Sequence, residues 1–115
     1  MPFLLKSPQK VDKIIPKGIG IGLAKESFFN SNIEEINIDL KDDDYLIMFT
    51  DGLNEIRNKD GLEFGFDELT NFINTNNAKN VDDFVQNVKK MINDYSENTK
   101  HFDDITFIAI KKIIN

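Results

Sequence analysis

The apolar positions of the chain occur in short runs separated by polar turns, which predicts short strands for most of the sequence. Ile36, Ile38 and Leu40 alternate with polar residues, as in a strand with one buried face. The run from Tyr45 to Thr50 is apolar up to its last residue and too short for a typical helix, so it predicts a strand buried on both faces. The predicted strands cover residues 3–6, 11–15, 36–40, 45–50 and 105–110.

Helical spacing occurs only between the last two predicted strands. Residues 66–74 predict a helix with Leu69, Phe72 and Ile73 turned inward. A second helix follows Asn80, a suitable N-cap residue, and has acidic residues in its first turn, where the helix dipole favours negative charge. Its apolar positions at helical spacing are Val81, Phe84, Val85, Val88 and Ile92. This order predicts an α+β domain, a largely antiparallel sheet with helices packed on one face.

The connecting segments are predicted from proline, glycine and charged turn residues. A turn is expected at Ser7-Pro8, and Pro16 ends the second strand and opens a glycine-rich loop over 17–24. The loop lacks the Lys-Ser/Thr of a P-loop and the Rossmann spacing, so a flexible connector is favoured over a phosphate cradle. Further turns are predicted at 41–44 and 58–61.

Charge and composition narrow the class of protein. The net charge is −6, with five Lys and one Asp in residues 1–25 and an acidic remainder. An acidic body argues against a nucleic-acid partner, because phosphate binding needs clustered Lys or Arg. The chain has no Cys, which excludes thiolate chemistry. No segment resembles a signal peptide or a membrane helix, so we expect a cytoplasmic protein without a membrane partner.

Two acidic motifs carry the candidate chemistry. Thr50-Asp51-Gly52 ends one predicted strand, and Asp103-Asp104 precedes another. If these strands pair antiparallel, the carboxylates converge at one sheet edge, where a cation would offset their repulsion. Oxygen ligands of this kind suit Mg²⁺ or Mn²⁺. Each motif by itself is also common in solvated turns, so spacing alone leaves the metal site and the plain turn both open.

The motifs together support a family assignment. YLIMFTDGLNE (45–55), GLEFG (61–65) and DDITF (103–107) occur in an order that resembles phosphatases of the stage II sporulation protein E type. These belong to the metal-dependent protein phosphatase (PPM) family. The resemblance runs from about residue 3 to 112, and it implies that residues 1–115 form the C-terminal portion of one PPM-type domain, a sandwich of two antiparallel sheets covered by helices.

The resemblance also implies an activity and site residues. Family members hydrolyse phosphoserine or phosphothreonine on a protein, in many bacterial cases an anti-sigma-factor antagonist, with water activated by two Mn²⁺ or Mg²⁺ ions. Asp51 and Asp103 match metal-binding positions. Asp104, Gly52 and Thr50 match supporting positions. The family's early bridging Asp-Gly has no counterpart here, so the partner implied is the missing N-terminal half of the domain.

Two alternatives stay open at this point. With two ligand carboxylates the chain is expected to bind metal weakly and to hydrolyse little by itself, and it could instead be a non-catalytic module that binds a protein. An apolar strip on the sheet would distinguish half of a sandwich from such a module. His101, near Asp103, is either an exposed turn residue or a residue that supports the metal ligands or acts as an acid.

Overall fold

The computed structural model of the chain describes residues 3–7, 10–18, 22–97, 99 and 103–114. Within these ranges one four-stranded antiparallel sheet has the strand order β2-β1-β3-β4. The strands are β1 (Phe3–Ser7), β2 (Lys10–Ile14), β3 (Tyr45–Phe49) and β4 (Phe107–Lys111). The helices are α1 (Glu26–Ser31), α2 (Phe66–Thr75) and α3 (Val81–Ser96). This confirms the predicted α+β class, with α2 and α3 over one face of the sheet.

The helix-covered face of the sheet carries the core. Leu4, Ile47 and Phe49 project toward the helices and are fully buried. Aromatic rings bridge the two layers, since the Phe84 ring of α3 lies 5.2 Å from the Tyr45 ring and 5.8 Å from the Phe107 ring. Such ring pairs add stabilisation beyond the area that they bury. The core therefore lies between the sheet and the layer formed by α2 and α3.

The opposite face of the sheet is apolar but not covered among the described residues. The register pairs Leu46 with Ile110 and Met48 with Ile108, so these four side chains share that face. Ile108 and Ile110 are 47% and 45% exposed, whereas Leu46 and Met48 are half-buried. The prediction that β3 is buried on both faces is therefore wrong for the part of the chain that the structure describes, because its helices cover one side of the sheet. We call these four residues the open face.

Both predicted long helices are present. In α2, Leu69 and Ile73 are fully buried and Phe72 is half-buried against the core. In α3, the Asn80 side chain accepts a hydrogen bond of 2.8 Å from the Asp83 amide, which confirms the predicted N-cap. The segment between the helices is tied to the inner strand β1 by Lys6, whose Nζ donates to the Asn76 carbonyl at 2.7 Å. Burial lowers the pKa of the Lys6 amine.

Between β2 and β3, the sequence analysis misassigns one segment and misses one helix. Residues 36–40 form no strand; Ile36 is 38% exposed. Alternating apolar and polar residues give a segment a face that can be buried, but they do not provide a strand for it to pair with. This segment pairs with none of the described strands. Helix α1 was not predicted, and it buries none of its residues, so it lacks the periodic apolar face by which helices are recognised.

The predicted turns are mostly in place. Asn58 Oδ1 accepts hydrogen bonds from the amides of Asp60 and Leu62, which forms the turn over 58–61. The turn over 41–44 closes with a 3.0 Å bond from the Asp44 amide to the Lys41 carbonyl. Pro8 of the first predicted turn and Gly20 of the glycine-rich loop lie outside the described residues.

The described residues form a thin body, with principal extents of 47 × 41 × 20 Å. An extent of 20 Å fits one sheet with one layer of helices packed on it, as the described residues show. Among the described residues, no helix combines the length and the apolar composition needed to cross a membrane.

Candidate metal site at the end of β3

The first acidic motif lies in a tight turn at the end of β3. The Thr50 carbonyl accepts a 3.0 Å hydrogen bond from the Leu53 amide, and the Asp51 carbonyl accepts one of 3.0 Å from the Glu55 amide. These bonds bend the chain away from the sheet directly after Phe49. Leu53 is fully buried and anchors the turn, while the Asp51 side chain is exposed at the edge.

The second acidic motif lies directly beside this turn. The Thr50 amide donates to the Thr106 carbonyl at 3.0 Å, and the Thr106 amide donates to the Thr50 hydroxyl oxygen at 3.0 Å. Asp103 and Asp104 immediately precede this contact and are exposed. The structure therefore brings the two predicted motifs together at one edge of the sheet.

Gly52 permits the closest approach between the motifs. A Cβ placed on Gly52 would lie 2.6 Å from the Asp104 carbonyl oxygen and 3.3 Å from that of Asp103. Contacts below 3.0 Å essentially never occur for real Cβ atoms, and both atoms here belong to backbone. A side chain at Gly52 would thus force the two acidic segments apart.

β4 begins later than predicted, and the reason lies at this contact. The strand starts at Phe107, although the apolar run begins at Ile105. The Thr106 amide donates to the hydroxyl of Thr50, in the turn that follows β3, instead of to a backbone carbonyl of β3. Regular pairing therefore starts at Phe107. Thr106 was not predicted as a site residue; its only sequence signal is a hydroxyl residue opposite another at the paired strand ends.

The carboxylates at this site are ligands of the kind that a hard divalent cation prefers, but the described residues supply too few of them. Asp51, Asp103 and Asp104 offer carboxylate oxygens, the ligands that Mg²⁺ and Mn²⁺ prefer. Across the described ranges, no group of three or more His, Asp or Glu side chains is placed to hold a metal ion. The described residues therefore fit one side of a metal site. His101 lies outside the described residues, so its role stays a prediction.

A cleft of about 410 Å³ opens beside the acidic segment, between α3 and the start of β4. Its walls are largely apolar, and Lys89 is also among the residues that line it. The residues that line it include Val85, Val88, Ile92, Ile105, Phe107 and Asp103. The cleft therefore places an apolar surface and the side chain of Lys89 next to the carboxylates.

No curated protein matches the chain in sequence. The fold is similar to the phosphatase domain of the cell-fate determinant SpoIIE from Bacillus subtilis, in a form presoaked with Mn, with a TM-score of 0.72 and 18% identity. A second structure of that domain gives a TM-score of 0.70 at 18% identity.

These matches cover 100% and 99% of this chain but 48% and 49% of the solved chains. The chain thus spans about half the length of the structures that it matches. At this identity, the structural likeness shows the fold alone, an α+β arrangement that this chain shares with about half of the solved domain. The sequence also matches the family described as stage II sporulation protein E (SpoIIE) over residues 1–112. The chain therefore belongs to the SpoIIE family.

Proposed function

We infer that this chain forms the C-terminal portion of a metal-dependent phosphatase domain that acts on phosphoserine or phosphothreonine in a protein substrate. The observation that carries the proposal is the contact between the two acidic motifs, where Gly52 lies against the Asp104 carbonyl. Membership of the SpoIIE family supports the reaction class. A protein substrate such as an anti-sigma-factor antagonist in the cytoplasm is consistent with the family.

The chain's own residues would bind and orient the metal. Asp51 and Asp103 would each supply a carboxylate ligand, and Asp104 would support them through hydrogen bonds. When bound, Mn²⁺ or Mg²⁺ supplies the Lewis acidity that activates water for in-line attack on phosphorus and offsets charge on the phosphoryl oxygens. The related domain presoaked with Mn makes manganese the first metal to test. The chain has no Cys, which agrees with a route that uses no thiol nucleophile.

The open face supports the proposal that this portion works together with the rest of the domain. Leu46, Met48, Ile108 and Ile110 form an apolar strip on the side of the sheet that no described helix covers. A face of this kind fits a second apolar layer better than it fits water. The remaining part of a SpoIIE-type domain is the proposed partner, and it would supply the ligands that the described residues lack.

The proposal is tested by Mn²⁺ binding and by peptide binding. We expect the isolated chain to bind Mn²⁺ weakly, because about two carboxylates replace few of the six oxygens that such ions require. Isothermal titration of wild type against Asp51→Asn and Asp103→Asn should show loss of binding in both variants. With Mn²⁺ present, wild type should prefer a phosphoserine peptide over its serine counterpart.

Turnover separates the proposal from its alternatives. Little phosphate release from the phosphoserine peptide is expected from the isolated chain. Robust Mn²⁺-dependent release would contradict the idea that the site is incomplete. Equal Mn²⁺ binding by wild type and Asp51→Asn would contradict the metal site itself. That second result would instead favour a non-catalytic module that binds a protein.

A further inference from the structure

Thr50 stands at the position where strand pairing between β3 and β4 stops. It lies opposite Thr106, and its amide donates to the Thr106 carbonyl at 3.0 Å. In a regular antiparallel pair of this type, the Thr106 amide would donate back to the Thr50 carbonyl. That carbonyl is instead engaged by the Leu53 amide at 3.0 Å. In the turn that presents Asp51, this carbonyl bonds to Leu53, and the Thr106 amide bonds to the Thr50 side chain instead of to the carbonyl.

The Thr50 hydroxyl replaces the missing acceptor. It accepts the Thr106 amide at 3.0 Å and lies 3.5 Å from the carbonyl oxygens of Asp104 and Thr106, the outer limit for a donated hydrogen bond. One side chain thus joins the residue before Asp51 to the residues that follow Asp103. Valine, which has the same shape without the hydroxyl, would leave the Thr106 amide without this partner.

We propose that Thr50 is a positioning residue that fixes the distance between Asp51 and the Asp103–Asp104 segment and thereby sets the metal affinity of the site. This inference rests on the proposed metal site. Thr50 does not ligate the metal in this scheme; it acts through the backbone of its neighbours. Groups that orient ligands in this way typically change metal affinity strongly when they are removed.

The first test measures the contact without metal. Hydrogen exchange in the apo chain should show a protected Thr106 amide in wild type, loss of that protection in Thr50→Val and its retention in Thr50→Ser. The amides of α3 should exchange alike in all three proteins. Thr70→Val is the matched control, because the Thr70 hydroxyl also donates to a backbone carbonyl, that of Phe66 at 2.9 Å, but lies in α2 away from the acidic motifs.

The second test measures Mn²⁺ affinity in the same proteins. Thr50→Val should weaken Mn²⁺ binding about tenfold to a hundredfold, the range found when ligand-orienting partners are lost. Thr50→Ser and Thr70→Val should bind as wild type does. Circular dichroism at the titration temperature confirms that each variant is folded, and Thr50→Ser keeps the test informative if Thr50→Val is not.

The outcomes separate this inference from the proposed function. A Thr106 amide that stays protected in Thr50→Val, or Mn²⁺ affinity that differs from wild type by less than about twofold, would overturn the role of Thr50. So would a Thr50→Ser variant as weak as Thr50→Val. If wild type and Asp51→Asn bind Mn²⁺ equally, the metal site fails first, and the positioning role fails with it.

Discussion

A methyl group added to Gly52 would lie 2.6 Å from the backbone carbonyl oxygen of Asp104, closer than any relaxed contact. The two residues are far apart in sequence, yet their approach determines how near the acidic motifs come. The clashing oxygen belongs to the backbone, so it cannot move away as the end of a flexible side chain could. We therefore expect a side chain at Gly52 to have a measurable cost.

Gly52→Ala should destabilise the chain by about 1–3 kcal/mol, the usual cost of forcing extra atoms into a packed position. Its Mn²⁺ binding should weaken as well, because the acidic segments separate. Urea denaturation and Mn²⁺ titration measure the two effects. Gly18→Ala is the control, since a Cβ on Gly18 meets nothing within 4 Å. Equal unfolding midpoints for the two variants would show that the loops yield without cost.

The two tyrosines should respond in opposite ways to loss of their hydroxyl groups. Tyr95 donates to the Leu62 carbonyl at 3.0 Å, so Tyr95→Phe should cost about 1 kcal/mol of unfolding free energy. The Tyr45 hydroxyl is buried and has no hydrogen-bond partner among the described residues. Tyr45→Phe should therefore be neutral or stabilising. Paired urea denaturation curves test the difference, and a larger loss for Tyr45→Phe would reveal a partner such as an ordered water.

Removal of the N-cap of α3 should weaken the longest helix. Asn80→Ala deletes the acceptor of the Asp83 amide and should cost about 1 kcal/mol. Asn80→Asp should retain most of the stability, because aspartate caps as well as asparagine does. Asn74→Ala, at an exposed position in α2, serves as the control. Thermal unfolding followed by circular dichroism gives the comparison, and equal values for the two alanine variants would contradict a stabilising cap.

Charges on the open face should be tolerated by the isolated chain. Ile108 is 47% exposed, so Ile108→Lys should change the unfolding free energy by less than about 0.5 kcal/mol and should reduce binding of a hydrophobic dye. Ile47, one strand away on the helix-covered face, is fully buried. Ile47→Lys should unfold the chain or cost several kcal/mol, because it buries an unpaired charge. Similar losses for both variants would mean that the open face is covered in solution.

Local patterns along the sequence predicted most of the regular structure. Helices α2 and α3 were recoverable because their apolar faces repeat at helical spacing and because Asn80 marks a start. The strands β3 and β4 were recoverable as short apolar runs, but only the fold decides which of their faces is covered. Residues 36–40 were misassigned because strand formation requires a partner edge, which no local pattern encodes.

The candidate site was predictable only in part. Asp51, Asp103 and Asp104 were singled out as acidic residues at the ends of apolar runs, and the antiparallel pairing of β3 with β4 does bring these ends together. The roles of the backbone were not visible in the sequence. Diversion of the Thr50 carbonyl into a turn, and the use of its hydroxyl by Thr106, depend on the angle at which the chain leaves the sheet. Metal ligation by these residues stays a prediction.

A body only 20 Å thick, with an apolar side that the described residues leave uncovered, links folding to association. Any layer that binds the open face in the folded state and not in the unfolded state raises the free energy of unfolding by mass action. The melting temperature of this chain should then increase with the concentration of whatever covers that side. The free energy of unfolding measured on the chain alone would then be a lower bound for that of the chain with its open face covered. Folding and assembly would be parts of one coupled equilibrium.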